Sequence, residues 1–307
     1  MKERMINATH IEGLLYEHKL EKKVTGENSK NPGTTYITGT VDIATDDKCT
    51  NIVPVHFTYV TEKTSKGNTN ATFGVLNNII EGNIKTLMGA GADAAAKVRV
   101  DSAVGLNEFF SDRTGQEELV SVKRNEGGFI HTADALAEDE KTRNTFTTDM
   151  IICSAVRQEA NEERNTPEKV IIKGFVFDFR KALLPVEFSA TNPNAMTYFE
   201  DLGASNSEPV FTKVWGRQVS ETIVREIREE SAFGDDSVRE VRNTRKDWVV
   251  TGAARDPYVW DDADSITVTE FKQALADRET YLATLKQRND EWKASQGAAP
   301  AAGGFNF

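Results

Sequence analysis

The feature that most constrains the fold of this chain is a repeated segment. It reads "NIVPVHFTYV" at residues 51–60 and "ALLPVEFSA" at residues 182–190, with the shared order apolar, Pro, Val, polar, Phe. Each copy is followed by Asn-Ala and an apolar segment, "NATFGVLNNII" from Asn70 and "NAMTYFEDL" from Asn194. A repeat of this length predicts two copies of one structural unit.

The unit is predicted from the periodicity of its apolar residues. Alternation over "HIEGLLYEHKLEKKV" (10–24), "TYITGTVDIAT" (35–45) and residues 51–60 predicts three strands. The segment from Asn70 then places apolar residues on one helical stripe, closed by a glycine: Phe73, Leu76, Ile79, Ile80 and Gly82. Two further strands follow, at 97–104 and 119–131, and residues 149–254 repeat the same order.

Three strands, a helix and two strands is the order of the five-stranded Greek-key barrel called the OB-fold. Gly39 and Gly174 stand in the middle of the second strand of each unit, where a small barrel needs a bend or bulge. The fold class is therefore predicted as mainly β with α, in two tandem OB-like barrels, and another β barrel or sandwich is the alternative. The predicted divisions are a first domain (1–147), a second domain (148–262), a C-terminal helix (263–293) and a flexible tail (294–307).

The C-terminal segment is predicted to be a long amphipathic helix over residues 267–292. It begins with a capping box from Thr267 to Glu270. One face carries Phe271, Leu275, Leu282, Leu285 and Trp292. This face is expected to pack on the barrels, or else on a partner helix.

Composition narrows the function. The net charge is −11, which argues against binding duplex nucleic acid through bulk positive charge but leaves room for one basic groove. The chain has no apolar run long enough for a membrane span and no signal-peptide core, so we expect cytoplasmic residence. Cys49 and Cys153 have no metal-site spacing, and no cofactor, metal or catalytic motif is predicted.

Aromatic and basic residues on predicted strands suggest a surface for single-stranded nucleic acid, since bases stack on aromatic rings and cations contact phosphates. The candidate stacking residues are Tyr36, Tyr59, Trp215 and Trp248. The candidate phosphate contacts are Lys22, Lys23, Lys123, Arg124, Arg180, Lys181, Arg217 and Lys246. Phe175, Phe177 and Phe179 share one face of a strand. Core packing is the alternative for every aromatic residue, and a solvated barrel rim is the alternative for the cations.

Two longer segments carry a resemblance. "LNEFFSDRTGQEELVSVKRNEGGFIH" (106–131) and "PVFTKVWGRQVSETIVREIREESAFG" (209–234) resemble proteins of phages and prophages of Gram-positive bacteria, whose layout is similar to OB-fold single-stranded-DNA-binding proteins. This resemblance implies a non-enzymatic role on single-stranded DNA in phage replication or recombination. It also implies a mobile tail that recruits a protein partner through a terminal Phe, here Phe305 and Phe307, although "GGFNF" lacks the usual acidic residues.

Two other functions stay open at this point. One is a phage structural or assembly protein whose barrels bind other proteins. The other is a metal-dependent nuclease using the paired acids of "EESAFGDD" (229–236), which is more often a solvated turn.

Overall fold

The computed structural model describes residues 5–113, 115–161, 166–229, 233, 237–263 and 265–297. The first repeat contains β1 (Asn7–Val24), β2 (Thr35–Ala44), β3 (Ile52–Thr61), α1 (Ala71–Ile80), α2 (Leu87–Ala90), β4 (Lys97–Ser111) and β5 (Glu118–Thr132). The second contains β6 (Asn144–Gln158), β7 (Lys169–Phe177), β8 (Leu183–Ala190), α3 (Pro193–Asp201), β9 (Val210–Glu229) and β10 (Ser237–Ala253). The long helix α4 (Val268–Gly297) follows.

Each repeat closes into a five-stranded barrel. In the first, β1 pairs antiparallel with both β2 and β4, and a short parallel pairing of β3 with β5 completes the ring. In the second, β6 pairs with β7 and β9, and β8 pairs in parallel with β10 at Ser189 and Val249. The strand order confirms the predicted fold class.

Glycine at the two predicted bend positions has a direct physical reason. Gly39 has φ of 128°, and a Cβ there would lie 2.0 Å from the carbonyl oxygen of Lys19. A Cβ on Gly174 would lie 1.9 Å from the carbonyl oxygen of Ile151. In each barrel the first strand therefore approaches the second too closely for any side chain, which confirms the predicted bend.

The two barrels share one continuous sheet of ten strands. β1 and β6 pair antiparallel over Asn7–Ile11 and Asn144–Thr148. The division between residues 147 and 148 falls inside β6 and stays a prediction, because the sheet runs through it.

Each barrel also extends a hairpin onto the other barrel. The first arm is the outer part of the β4–β5 hairpin (105–113 and 115–124), and the second arm is the outer part of the β9–β10 hairpin (217–229 and 237–246). Val104, at the base of the first arm, is buried in the core of the second barrel. In return, Gln218 of the second arm exchanges two buried 2.8 Å hydrogen bonds with Asn125 of β5.

Helix α4 joins the second barrel to the first arm. Its predicted capping box forms, since the amide of Glu270 donates to Thr267 Oγ1 at 3.0 Å and the amide of Thr267 donates to a Glu270 carboxylate oxygen at 2.9 Å. Phe271 is buried on the second barrel. Further along, Arg278 forms a two-bond ion pair with the buried carboxylate of Glu108.

The predicted apolar face of α4 is only partly correct. Leu275 packs against the second barrel, and Leu282 and Leu285 are partly buried. Trp292 is 60% exposed, because the end of the helix is held by charged contacts instead. There Lys286 and Lys293 both bond to Glu117 at the tip of the first arm.

The stability that the contact between α4 and the tip of the first arm contributes is expected to depend on pH. Hydrogen bonds from Lys286 and Lys293 lower the pKa of Glu117 from 4.5 to about 2. The unfolded chain therefore binds more protons between these values, and the contribution of Glu117 to stability is present above about pH 4.5 and is lost as the pH falls toward 2.

We expect Glu117→Gln to lower the free energy of unfolding at neutral pH, and the difference from wild type to shrink between pH 4.5 and 2. Urea unfolding at stepped pH measures this difference. Glu279→Gln, at an exposed acid of α4, is the control and should show no such trend. A constant effect of Glu117→Gln across the pH range would contradict the assignment.

Candidate nucleic-acid interface

The outer face of β1, β2 and β3 is the surface on which most of the predicted residues of the first barrel meet. Along β2 and β3, Val41, Ile43, Val55 and Phe57 point into the core. Strand alternation then leaves polar residues on the outer side: Thr38, Thr40, His56 and Thr58. This face is polar and partly open, and we call it the first-barrel face.

Tyr36 and Tyr59 lie together on the first-barrel face. Their ring centroids are 4.7 Å apart, and the ring planes are inclined by 40°. Tyr59 is 48% exposed and Tyr36 is partly buried. Two aromatic faces at the edge of a barrel are therefore available for flat, apolar groups.

A bulge brings these two rings together. The β2–β3 register passes from Ile37 opposite Val60 to Gly39 opposite Phe57, so two residues of β3 face one residue of β2. Without the extra residue, strict alternation would turn Tyr59 inward with Phe57. The bulge instead turns Tyr59 outward, beside Tyr36.

A row of alternating charges on β1 borders the tyrosine pair. Lys23 stands opposite Tyr36 in the register, and Lys19 stands opposite Thr40. The ammonium of Lys23 is 2.7 Å from the carboxylate of Glu21, and this hydrogen bond raises the pKa of Lys23. Such an exposed ion pair contributes little stability, so an incoming phosphate can replace the carboxylate at low cost.

Arg124 of β5 lies at the other side of the first-barrel face. Its guanidinium bonds to Glu126, which also accepts a hydrogen bond from Thr58. Burial and then the positive charge of Arg124 lower the pKa of His56, while Glu126 opposes the shift. His56 is therefore held toward its neutral form.

The charge of Lys246, from the second arm, also acts on this face. Burial raises the pKa of Asp42 on β2, with a further increase from Glu17. The charges of Lys19 and Lys246 act in the opposite direction on the same carboxyl. A residue of the second repeat thus contributes charge to the face of the first.

Lys22 and Trp248 do not lie on the first-barrel face. Lys22 donates a 2.8 Å hydrogen bond to Asn77 of α1 and lies over the ring of Phe73, away from the tyrosine pair. Trp248 is only 8% exposed and packs against Phe146 and Phe188 in the core of the second barrel. The expectation that Trp248 stacks on bases is wrong, because its ring has no open face.

Lys123 is part of the contact between the first arm and the second barrel. Its ammonium donates to the carbonyl oxygen of Glu187 and lies 4.6 Å from the ring centroid of Phe188 and 5.2 Å from that of Trp248. Lys123 therefore joins the barrels and does not line the first-barrel face.

The remaining predicted residues lie on two separate parts of the second barrel. Arg180 and Lys181 form the β7–β8 turn, where the guanidinium carbon of Arg180 is 5.0 Å from the ring centroid of the exposed Phe179. Trp215 and Arg217 lie on β9. The Trp215 ring packs on Gly252 of β10, where a Cβ would come within 2.4 Å of its Nε1 atom.

The second barrel does not repeat the open face of the first. Phe175 and Phe177 of β7 belong to an apolar cluster on its outer side that includes the chain before α4 and the first turns of α4. Phe271 covers Phe175 with ring centroids 6.1 Å apart, and Trp260 lies 5.7 Å from Phe271. Phe175 and Phe177 are therefore packing residues.

Sequence reasoning missed His56 and Thr58. Their alternation in β3 is visible in the sequence, but no pattern reveals which side of the strand remains uncovered. Phe305 and Phe307 lie outside the described residues, as does most of the acidic segment at 229–236.

In the part of the chain that the structure describes, no group of three or more His, Cys, Asp or Glu side chains is arranged to hold a metal ion. None of the described helices is both long enough and apolar enough to cross a membrane.

The half-buried position of Lys123 predicts that the free energy of unfolding depends on pH. Burial lowers its pKa from 10.5 to about 7, while the charges of Asp247 and Glu187 oppose the shift. Between these values the unfolded chain holds a proton that the folded chain lacks, so the contribution of Lys123 to stability increases with pH from about 7 to about 10.5.

We expect Lys123→Met to remove this increase, so that the stability of wild type relative to the variant rises between pH 7 and pH 10. Urea unfolding at several pH values measures it, with Lys272→Met on the exposed side of α4 as the control. Parallel pH profiles for wild type and Lys123→Met would contradict the buried placement.

Comparison with known proteins gives one family and several similar solved structures. No curated protein matches the chain. A deletion mutant of the single-stranded DNA binding protein from Thermus aquaticus is similar, with 10% identity and a TM-score of 0.46 over 85% of this chain and 98% of that one. The wild-type protein gives 10% identity and a TM-score of 0.44 over 85% and 97%. The model of the YorF family matches residues 6–288, and the chain therefore belongs to the YorF family.

Proposed function

We propose that this protein binds single-stranded DNA, without enzymatic activity, across the first-barrel face. The observation that carries the proposal is the Tyr36–Tyr59 pair, which lies on an open polar face bordered by Lys23 and Arg124, where the charge of Lys246 also acts. A role in phage replication or recombination, in a bacterial host cytoplasm, rests on the resemblance of the segments 106–131 and 209–234 to phage proteins.

The tyrosine pair favours a single strand over a duplex. Unpaired bases expose flat faces, and stacking one of them on an aromatic ring contributes roughly 1–3 kcal/mol. Because the two rings are inclined by 40°, one base cannot lie parallel to both. We therefore expect Tyr59, the more exposed ring, to stack on a base while Tyr36 supports it from below.

The charges of this face favour weak rather than tight phosphate binding. Lys23 and Arg124 each already have a carboxylate partner, and the protein carries a net charge of −11. If Lys23, Arg124 and Lys246 each contact one phosphate, the slope of log affinity against log salt is about −2, from −0.7 per phosphate of a single strand. A slope this shallow differs from that of a protein that binds duplex DNA through bulk charge.

We expect Tyr59→Ala and Tyr36→Ala to weaken the binding of a labelled oligothymidylate by roughly 5- to 150-fold, which corresponds to the loss of one stacked base. Fluorescence anisotropy at low salt measures the affinity. Tyr281→Ala is a matched control, because Tyr281 is a 47% exposed tyrosine on α4. Equal affinity for duplex and single strand, or equal losses in all three variants, would refute the proposal.

A second candidate function is protein binding in phage assembly. The observation in its favour is a set of exposed apolar residues on the first arm, Phe109, Leu119 and Val122. The same titration separates the two functions, since an assembly protein would not bind the oligonucleotide at low salt. Adding magnesium or manganese ions to the same sample tests the nuclease alternative by strand cleavage.

Recruitment of a replication or recombination protein through the tail stays a separate proposal. Phe305 and Phe307 would enter an apolar pocket of that partner. We expect deletion of residues 298–307, which keeps all of α4, to leave oligonucleotide affinity unchanged and to abolish binding of the partner. An increase in oligonucleotide affinity, or a change of mass in light scattering, would instead indicate that the tail folds back or mediates self-association.

A further inference from the structure

The second barrel contains a cavity of about 650 Å³ between α3 and the C-terminal end of β10. Its walls include Asn194 and Tyr198 of α3 and the backbone of Gly252. No residue of the first-barrel face is among the described residues that line it. The volume lies within the range of sites that hold small ligands, roughly 300–1,000 Å³.

The charge of this cavity differs from that of the whole protein. Arg217 and Arg255 both line it, and among the described lining residues none carries a carboxylate. The chain as a whole has 48 acidic and 37 basic residues. A cavity whose described lining has two basic residues and no acidic one therefore has the opposite sign of charge to the whole chain. Asp256, the next residue after Arg255, is exposed and does not line the cavity, but it lies close by: burial and then the charge of Asp256 raise the pKa of Tyr198 in the wall.

The wall that carries the arginines is held in place by hydrogen bonds and packing. The amide of Ala254 donates to the carbonyl oxygen of Lys213 at 2.8 Å, and the Tyr198 hydroxyl donates to the carbonyl oxygen of Ala254 at 3.0 Å. These bonds fix the backbone immediately before Arg255. Arg217 is fixed by the β9–β10 register, where it stands opposite Val249.

Arg217 also connects this cavity to the junction of the two barrels. A second cavity, of about 500 Å³, is lined by Arg217 and Glu140 together with Asn51 of the β2–β3 turn and Ser220 of the second arm. The amide of Ser220 donates to Asn51 Oδ1 at 2.6 Å, so the two repeats are in direct contact there.

We infer that the cavity between α3 and β10 binds a phosphate group, with Arg217 and Arg255 as its ligands. Guanidinium groups bind phosphate oxygens through paired, charge-assisted hydrogen bonds, and the described lining of this cavity contributes two such groups and no carboxylate. The phosphate belongs either to a DNA strand that continues from the first-barrel face, which rests on the proposed function, or to a free nucleotide.

Calorimetric titration with inorganic pyrophosphate and with thymidine monophosphate tests the site without DNA. We expect saturable binding to wild type that Arg217→Gln and Arg255→Gln each weaken by about tenfold or more, the loss of one charge-assisted pair. Arg288→Gln, at an exposed arginine of α4, should leave it unchanged. Circular dichroism of each variant confirms that the fold is intact. No saturable heat in wild type, or equal heats in all variants, would overturn the inference.

Titration with a short oligothymidylate identifies the source of the phosphate. If the strand supplies it, Arg255→Gln weakens oligonucleotide binding and pyrophosphate competes with the oligonucleotide. If a free nucleotide supplies it, Arg255→Gln weakens only monophosphate binding. Should wild type bind pyrophosphate but no oligonucleotide, the proposed function fails and the phosphate site stands.

Discussion

The antiparallel pairing of β1 with β6 is the constraint on which the rest of the molecule depends. It joins the first strand of one barrel to the first strand of the other over only five residues of each, yet it fixes their orientation. The side chain of Asn7 strengthens this seam, because its amide donates to the carbonyl oxygens of Val104 and Phe177 at 2.9 Å each. One residue thereby ties together strands of both repeats.

Because this orientation is fixed, each arm contacts the opposite barrel. The reciprocal amide bonds between Asn125 and Gln218 are buried, where an unpaired amide would be costly, so they specify one relative position of the two repeats. The positions of Lys123, Arg124 and Lys246 all follow from that placement. Residues adjacent in sequence therefore serve different surfaces: Lys123 contacts the second barrel and Arg124 contacts the first-barrel face.

The two repeats use the same outer face in opposite ways. In the repeat alignment, Thr40 and Asp42 of the first barrel correspond to Phe175 and Phe177 of the second. Polar side chains keep the first face in contact with water, whereas the phenylalanines require a cover and receive it from Trp260 and Phe271. A duplicated unit has thus become one exposed surface and one packing surface.

Much of the fold was predictable because its strands, bends and helix start depend on residues that are close together in the sequence. The period of apolar residues, the glycines at the bends and the capping box of α4 each act within a few residues of the chain. The site was less predictable because it depends on distant events. A bulge in β3 turned Tyr59 outward, the core of the second barrel enclosed Trp248, and the tip of the first arm left Trp292 of α4 in solvent. Strand alternation and helical periodicity carry no information about which surface another segment will cover.

The cover on the second barrel also sets an order for biosynthesis. Strands β6 to β10 are complete at Ala253, but Phe175 lacks its contact with Phe271 until α4 has been made. The contact of Lys286 forms later still, since Lys286 reaches back 169 residues to Glu117. A chain in which α4 has not yet been synthesised therefore lacks part of the cover on this aromatic surface. Exposed apolar surface of this kind makes incompletely folded chains prone to aggregation.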